Sequence, residues 1–142
     1  MALPRALDED LLRATGLSLT HYLVLMHLSE ADGTCMRMTD LATATALSAS
    51  RITRVVENLR GAGLVAKRRH CTDARGTVAV LTEAGRERLR STYPAHLASA
   101  RRRVMDRLDP ALVHRLVEEL QSVADPLRAT CEPSRSTTTP TT

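Results

Sequence analysis

Apolar side chains recur at helical intervals over much of the chain. In residues 3–15, Leu7, Leu11 and Leu12 group on one face, and Gly16 ends the run. Residues 18–31 form a second helix with Ser18 or Thr20 as its cap. Tyr22, Leu25 and Leu28 share a broad apolar face, so this helix is expected to be buried on more than one side before Asp32-Gly33 stops it. A short apolar link, residues 35–38, leads to Thr39 as cap of a third, alanine-rich helix over 40–47. Ser48 caps a fourth, in which Ile52, Val55, Val56 and Leu59 fall at i, i+3, i+4 and i+7. Arg51, Arg54 and Asn58 take the opposite side, and Gly61 and Gly63 end the helix.

The period then changes from helical to alternating. Residues 64–69 and 77–82 predict two strands, and the polar, glycine-containing loop 70–76 between them makes a hairpin with a long tip. Thr82 caps a long helix over about 83–107, which Pro94 is expected to kink or break. Asp109-Pro110 restarts a helix that runs to about Ala129, with Pro126 as a point of interruption. The Thr-, Pro- and Ser-rich stretch 131–142 predicts a disordered tail. The fold class is therefore mainly α with a small β-hairpin.

Composition narrows what fills the core. The 142 residues include no Phe, no Trp and only two Tyr, so Leu, Val, Ala, Ile and Met must supply the packing, which favours helices over a β-sandwich. Net charge is +4, but it is concentrated: residues 51–75 carry seven basic and two acidic side chains, leaving the remainder at −1. Three widely spaced cysteines fit a reducing compartment and no disulfide framework. No membrane-length apolar run or signal-peptide pattern is present, so the expected location is the cytoplasm. No phosphate-binding glycine loop, nucleophile elbow, metal-ligand spacing or paired carboxylates occur, so no enzyme, metal or cofactor is expected.

Two short helices joined by a tight turn, followed at once by a basic hairpin, make a helix-turn-helix with a wing. The fourth helix would bury its apolar stripe and present Ser48, Ser50, Arg51, Thr53, Arg54 and Asn58 to the major groove of double-stranded DNA, where arginine can pair with guanine O6 and N7. In the wing, Lys67, Arg68 and Arg69 are phosphate contacts. Arg75 at the tip suits a narrow minor groove, with Asp73 holding the loop in shape. Thr39 is a candidate backbone contact, and Arg101–Arg103 read as a solvated helix face. Cys71 follows Arg68, Arg69 and His70, whose positive charge favours a thiolate, which makes it a candidate redox site.

The run Leu41–Leu89 resembles the multiple antibiotic resistance regulator (MarR) family. The D-x-R-G of Asp73–Gly76 followed by VAVLTEAGRE at 78–87 carries the likeness, with residues 38–65 matching the family's helix-turn-helix and LSLTHYLVLMHL its second helix. The resemblance implies an obligate homodimer on a pseudo-palindromic operator, with a repressor relieved by a small-molecule effector as the expected mode. A ligand pocket would involve His21, Tyr22 and Met26. On this reading 18–82 form the winged helix-turn-helix domain, and 1–17 with 83–130 form N- and C-terminal dimerisation helices. Leu89, Leu97, Val104, Leu108, Leu112, Leu116, Val117 and Leu120 exceed what one small winged domain can bury, which also points to a partner copy. The alternatives are an architectural, nonspecific DNA-binding protein, a thiol-based redox-responsive regulator, or a winged helix used for protein contacts.

Overall fold

The computed structural model describes residues 2–69 and 77–129. Its elements in order are α1 (Ala2–Thr15), α2 (Leu19–Glu30), β1 (Cys35–Arg37), α3 (Met38–Ala44), α4 (Ala49–Gly61), β2 (Val65–Arg69), β3 (Thr77–Leu81), α5 (Glu83–Arg103) and α6 (Pro110–Ala129). They divide into one unit running through Arg103 and a second beginning at Val104. The mainly helical fold with a small sheet is the one the sequence pattern predicts. Among the described residues no helix is long and apolar enough to cross a membrane.

The first unit is organised around α2. Ser18 caps it, its hydroxyl accepting from the His21 amide at 3.2 Å, and Asp8 of α1 accepts from the Leu19 amide at 2.7 Å. Tyr22, Val24, Leu25 and Leu28 are all buried, on more than one side of the helix as expected. Around them pack Leu11 of α1, Leu41 of α3, the Ile52, Val55, Val56 and Leu59 stripe of α4, and Val65, Ala79 and Leu81 of the sheet. Burial of each such aliphatic side chain is worth about 1.5–3 kcal/mol. Leu12, grouped with Leu11 by spacing, is instead half exposed because it lies one residue, about 100°, round the helix.

The sheet has three antiparallel strands in the order β1-β3-β2, with Val65 opposite Leu81 and Arg69 opposite Thr77 in the hairpin. The third strand corrects the sequence reading. Residues 35–37 are not a link but pair with β3, Cys35 opposite Val80 and Arg37 opposite Val78. Three residues are too few to show an alternating pattern, and the strand exists because β3 offers an open edge. This pairing also corrects the cap. Arg37 remains extended and α3 begins directly after it at Met38, so Thr39 lies inside the first turn and donates to Asp40 Oδ1 at 3.1 Å instead of capping.

Thr82 joins the hairpin to α5. Its hydroxyl donates to the Gly63 carbonyl at 2.8 Å and accepts from the Gly85 amide at 3.0 Å. The first turn of α5 thereby sits against the exit of α4, and a Cβ at Gly85 would overlap the Leu64 carbonyl oxygen and lie 2.7 Å from Leu81 Cδ1. The helix continues through Pro94 without the expected break, and α6 likewise runs through Pro126. Contacts of α5 with α1 and α2 offset the backbone hydrogen bond that Pro94 forgoes. At Arg103 α5 ends, and Met105–Arg107 form a separate 3-10 turn.

The basic end of α5 is not simply a solvated face. Arg103 grips Asp10 of α1 with both Nη2 (2.9 Å) and Nε (3.0 Å), and Arg102 Nη2 lies 3.3 Å from the same carboxylate. Ser99, itself buried, donates to Asp10 Oδ2 at 2.6 Å. Both arginines stay exposed while their guanidinium groups partner Asp10, a buried charge that needs partners. Those hydrogen bonds, Arg103's first, hold the Asp10 carboxyl far below the usual carboxylate range.

Two expectations follow from these contacts. Gly85→Ala should cost about 1–3 kcal/mol, read as a lower denaturant midpoint at constant slope. Asp10→Asn should melt below wild type at pH 7. Because the folded carboxyl titrates below its ordinary value near 3.8, the wild-type advantage is complete above that value and is lost as pH falls through the folded one. The gap between melting curves should therefore hold from pH 7 to about pH 4 and narrow, without closing, by about pH 3, and a constant gap would show that Asp10 acts only through packing.

Candidate nucleic-acid interface

Helix α4 presents its polar face because its apolar stripe is committed to the core. Ser48 caps it, accepting from the Arg51 amide at 3.3 Å, and lies 3.2 Å from the Ser50 hydroxyl. The preceding turn is closed by the Leu47 amide on the Ala42 carbonyl at 2.9 Å, with Ala46 at φ 52°. That left-handed residue sets the sharp angle between α3 and α4. Ser50, Arg51, Arg54 and Asn58 then line one shallow surface concavity with Val55. Arg51 and Arg54 are exposed and make no side-chain hydrogen bond or ion pair among the described residues. Thr53 is exposed too, but its hydroxyl donates to the Ala49 carbonyl at 2.8 Å, leaving only its acceptor capacity.

The wing residues separate. Arg68 is exposed and without a partner among the described residues. Lys67 is only 25% exposed and its Nζ donates to Glu57 Oε1 of α4 at 2.5 Å. The Arg69 side chain, Cys71, Asp73 and Arg75 lie outside the described residues, as does the 131–142 tail. Glu57, which also accepts from Arg60 Nε at 2.8 Å, was not singled out by sequence. Its signal was there, as one of only two acidic side chains in the basic 51–75 stretch. Thr39 is exposed at the start of α3.

The three residues expected to share a ligand pocket do not line one concavity. Tyr22 and Met26 line a groove of about 470 Å³ with Leu89, Tyr93, Arg86 and Arg90. His21 lines another, with Ser18, Asp8 and Arg51, and its Nδ1 lies 2.5 Å from the Ser18 hydroxyl. Burial lowers the His21 pKa, with Asp8 opposing. Burial raises that of the Tyr22 phenol, helped by Tyr93 and Glu30. Tyr22 stacks obliquely on His96 of α5, ring centres 4.5 Å apart. His96 Nδ1 and Thr92 Oγ1 are buried with no hydrogen-bond partner among the described residues. No group of three or more metal-ligating side chains converges among those residues.

In the second unit, α6 carries Leu112, Leu116, Val117, Leu120 and Val123 exposed along its length. Leu97 of α5, in the first unit, is exposed as well. All of these but Val123 are among the apolar side chains that the sequence suggested one winged domain cannot cover.

An exposed arginine pair at helical spacing on a capped helix can read base edges, and an exposed strand arginine can meet phosphate. Arg54→Ala should therefore weaken binding at particular base pairs by about 1–3 kcal/mol each. Arg68→Ala should weaken all duplexes alike and flatten the salt dependence of log K by about 0.9. Anisotropy titrations on single-base operator variants at several salt concentrations separate the two effects.

Comparison with known proteins bears on this arrangement. The model of the MarR family matches residues 15–76. AbsC, a MarR family transcriptional regulator from Streptomyces coelicolor, is 41% identical, with 90% of this chain and 86% of that one covered and a TM-score of 0.76. A second MarR family regulator from Streptomyces coelicolor, solved in complex with DNA, is 35% identical over 94% of this chain and 81% of its own, with a TM-score of 0.78. CouR from Rhodococcus jostii RHA1, solved with p-coumaroyl-CoA, is 26% identical over 88% and 85%, with a TM-score of 0.69. No curated protein matches the sequence.

Proposed function

The chain belongs to the MarR family and is a DNA-binding transcriptional regulator, and from that premise we propose that it acts as a homodimeric, sequence-specific repressor released by a small-molecule ligand. The observation that carries the sequence-specific reading is the exposed pair Arg51 and Arg54, without a side-chain partner among the described residues, on the buried-stripe helix α4, flanked by Ser50 and Asn58. We assign base reading to these residues and to Ser48 and Thr53, and phosphate contact to Arg68 and Thr39. From the sequence reading we add Arg69, Asp73 and Arg75, of which the Arg69 side chain and the other two residues lie outside the described ones.

Dimerisation is supported by the uncovered stripe on α6, which in water would favour a second copy of the same surface about a two-fold axis. Two-fold pairing would place two α4 helices on successive turns of a pseudo-palindromic operator. The effector site we favour is the Tyr22–Met26 groove. Its apolar wall and the nearby Arg86 and Arg90 suit a phenol or a lipophilic acid. The ligand seen with CouR belongs to that protein, and the identity of this chain's effector is left open by class.

Anisotropy against duplex DNA from the protein's own upstream region should show tight binding, with scrambled DNA of the same composition far weaker. Equal, salt-sensitive binding to both would favour an architectural role. Leu116→Glu combined with Leu120→Glu should turn a dimer into a monomer in sedimentation velocity and weaken operator binding at least tenfold. A variant that stays dimeric would place the interface elsewhere. Phenols and lipophilic acids should raise the melting temperature and release operator DNA, and saturating amounts without either effect would remove the groove from consideration.

A further inference from the structure

Glu57 is the one acidic side chain of α4, and it lies about 60° round the helix from Arg54, on the side away from the buried stripe. A bare carboxylate there would repel the phosphates that Arg68 and its neighbours would attract. Both of its oxygens are occupied: Lys67 Nζ donates to Oε1 at 2.5 Å and Arg60 Nε donates to Oε2 at 2.8 Å. Lys67 shares a face of β2 with buried Val65, since side chains alternate along a strand, and that face turns toward α4, whereas Arg68 takes the other face. The two cations, the Lys67 bond first, also lower the Glu57 pKa, so the side chain stays ionised at neutral pH. Exposed ion pairs add little to stability. The larger consequence is on how many positive charges the interface offers to DNA.

We propose that Glu57 is a positioning residue that restrains nonspecific DNA affinity by holding Lys67 and Arg60 on the protein instead of on phosphate. This rests on the DNA-binding role assigned to α4 and the wing. Each cation that reaches a phosphate releases counterions and steepens the salt dependence of log K by about 0.9 on B-form DNA. A carboxylate that occupies two of them therefore lowers affinity for all sequences, and leaves discrimination to Arg51 and Arg54.

The test is to titrate full-length wild type, Glu57→Gln, Lys67→Met and the double variant, by anisotropy, into an upstream-region duplex and a scrambled duplex between about 50 and about 200 mM salt. Glu57→Gln should bind both duplexes several-fold more tightly at low salt, with a slope steeper by about 0.9 for each cation released, and the ratio between duplexes should stay as in wild type. Lys67→Met alone should keep the wild-type slope, and added to Glu57→Gln it should take back about 0.9. A purely structural strut would leave these slopes unmoved. The proposal is overturned if Lys67→Met alone flattens the slope, if Glu57→Gln gains nothing on scrambled DNA, or if Glu57→Gln loses affinity only for the upstream duplex, as a base-reading carboxylate would. Should circular dichroism show Glu57→Gln unfolded, Glu57→Ala takes its place, with the same gain in slope expected. Wild type binding both duplexes equally would sink the sequence-specific reading while leaving these slopes readable.

Discussion

Burying Ile52, Val55, Val56 and Leu59 against α2, α3 and β2 fixes the roll of α4, and nearly everything functional depends on that roll. A helix has only one way to face its apolar stripe inward, so Arg51, Arg54 and Asn58 are exposed by the same packing that stabilises the domain. On the proposed reading, specificity for DNA would follow from where hydrophobic side chains fall in a thirteen-residue helix. The chain manages this with no Phe or Trp, relying on α2 as a helix buried on several sides to supply the surface that α4, α5 and the sheet pack against.

The sheet and α5 are held to that core by close backbone approach and by one buried charge. Thr82 bridges Gly63 and Gly85, and the missing side chain at Gly85 lets α5 start against the Leu64 carbonyl. Farther along, Asp10 collects Ser99, Arg102 and Arg103, tying the far end of α5 back to α1. Arg88 reaches the Thr15 carbonyl between these two points. The two anchors hold α1 and α5 in one unit with the helix-turn-helix, so a ligand in the groove beside Tyr22, Leu89 and Tyr93 would press on the same α2 that supports α4.

Electrostatics divides the basic stretch into two populations. Arg51, Arg54 and Arg68 are open to solvent, while Lys67 and Arg60 are engaged by Glu57. Counting charges along the sequence treats all of them as DNA contacts, but charge available to a phosphate depends on whether a carboxylate already holds it.

The sequence by itself determined the helices, the hairpin, the Ser48 cap and the face of α4 that is exposed, because periodicity and capping are properties of neighbouring residues. It also carried the family likeness through the D-x-R-G wing. Tertiary structure alone decided the rest. The strand Cys35–Arg37 exists only because β3 has an edge to pair with, and its pairing moved the start of α3 ahead of Thr39. Arg102 and Arg103 looked like solvent-facing charges until Asp10, 92 and 93 residues away along the chain, came to meet them. His21 and Tyr22, adjacent in sequence, line different concavities because consecutive residues on a helix point about 100° apart. Lys67 met Glu57 only once β2 packed on α4. Contacts between residues distant in the chain depend on which surfaces the core brings together, and no local pattern encodes that.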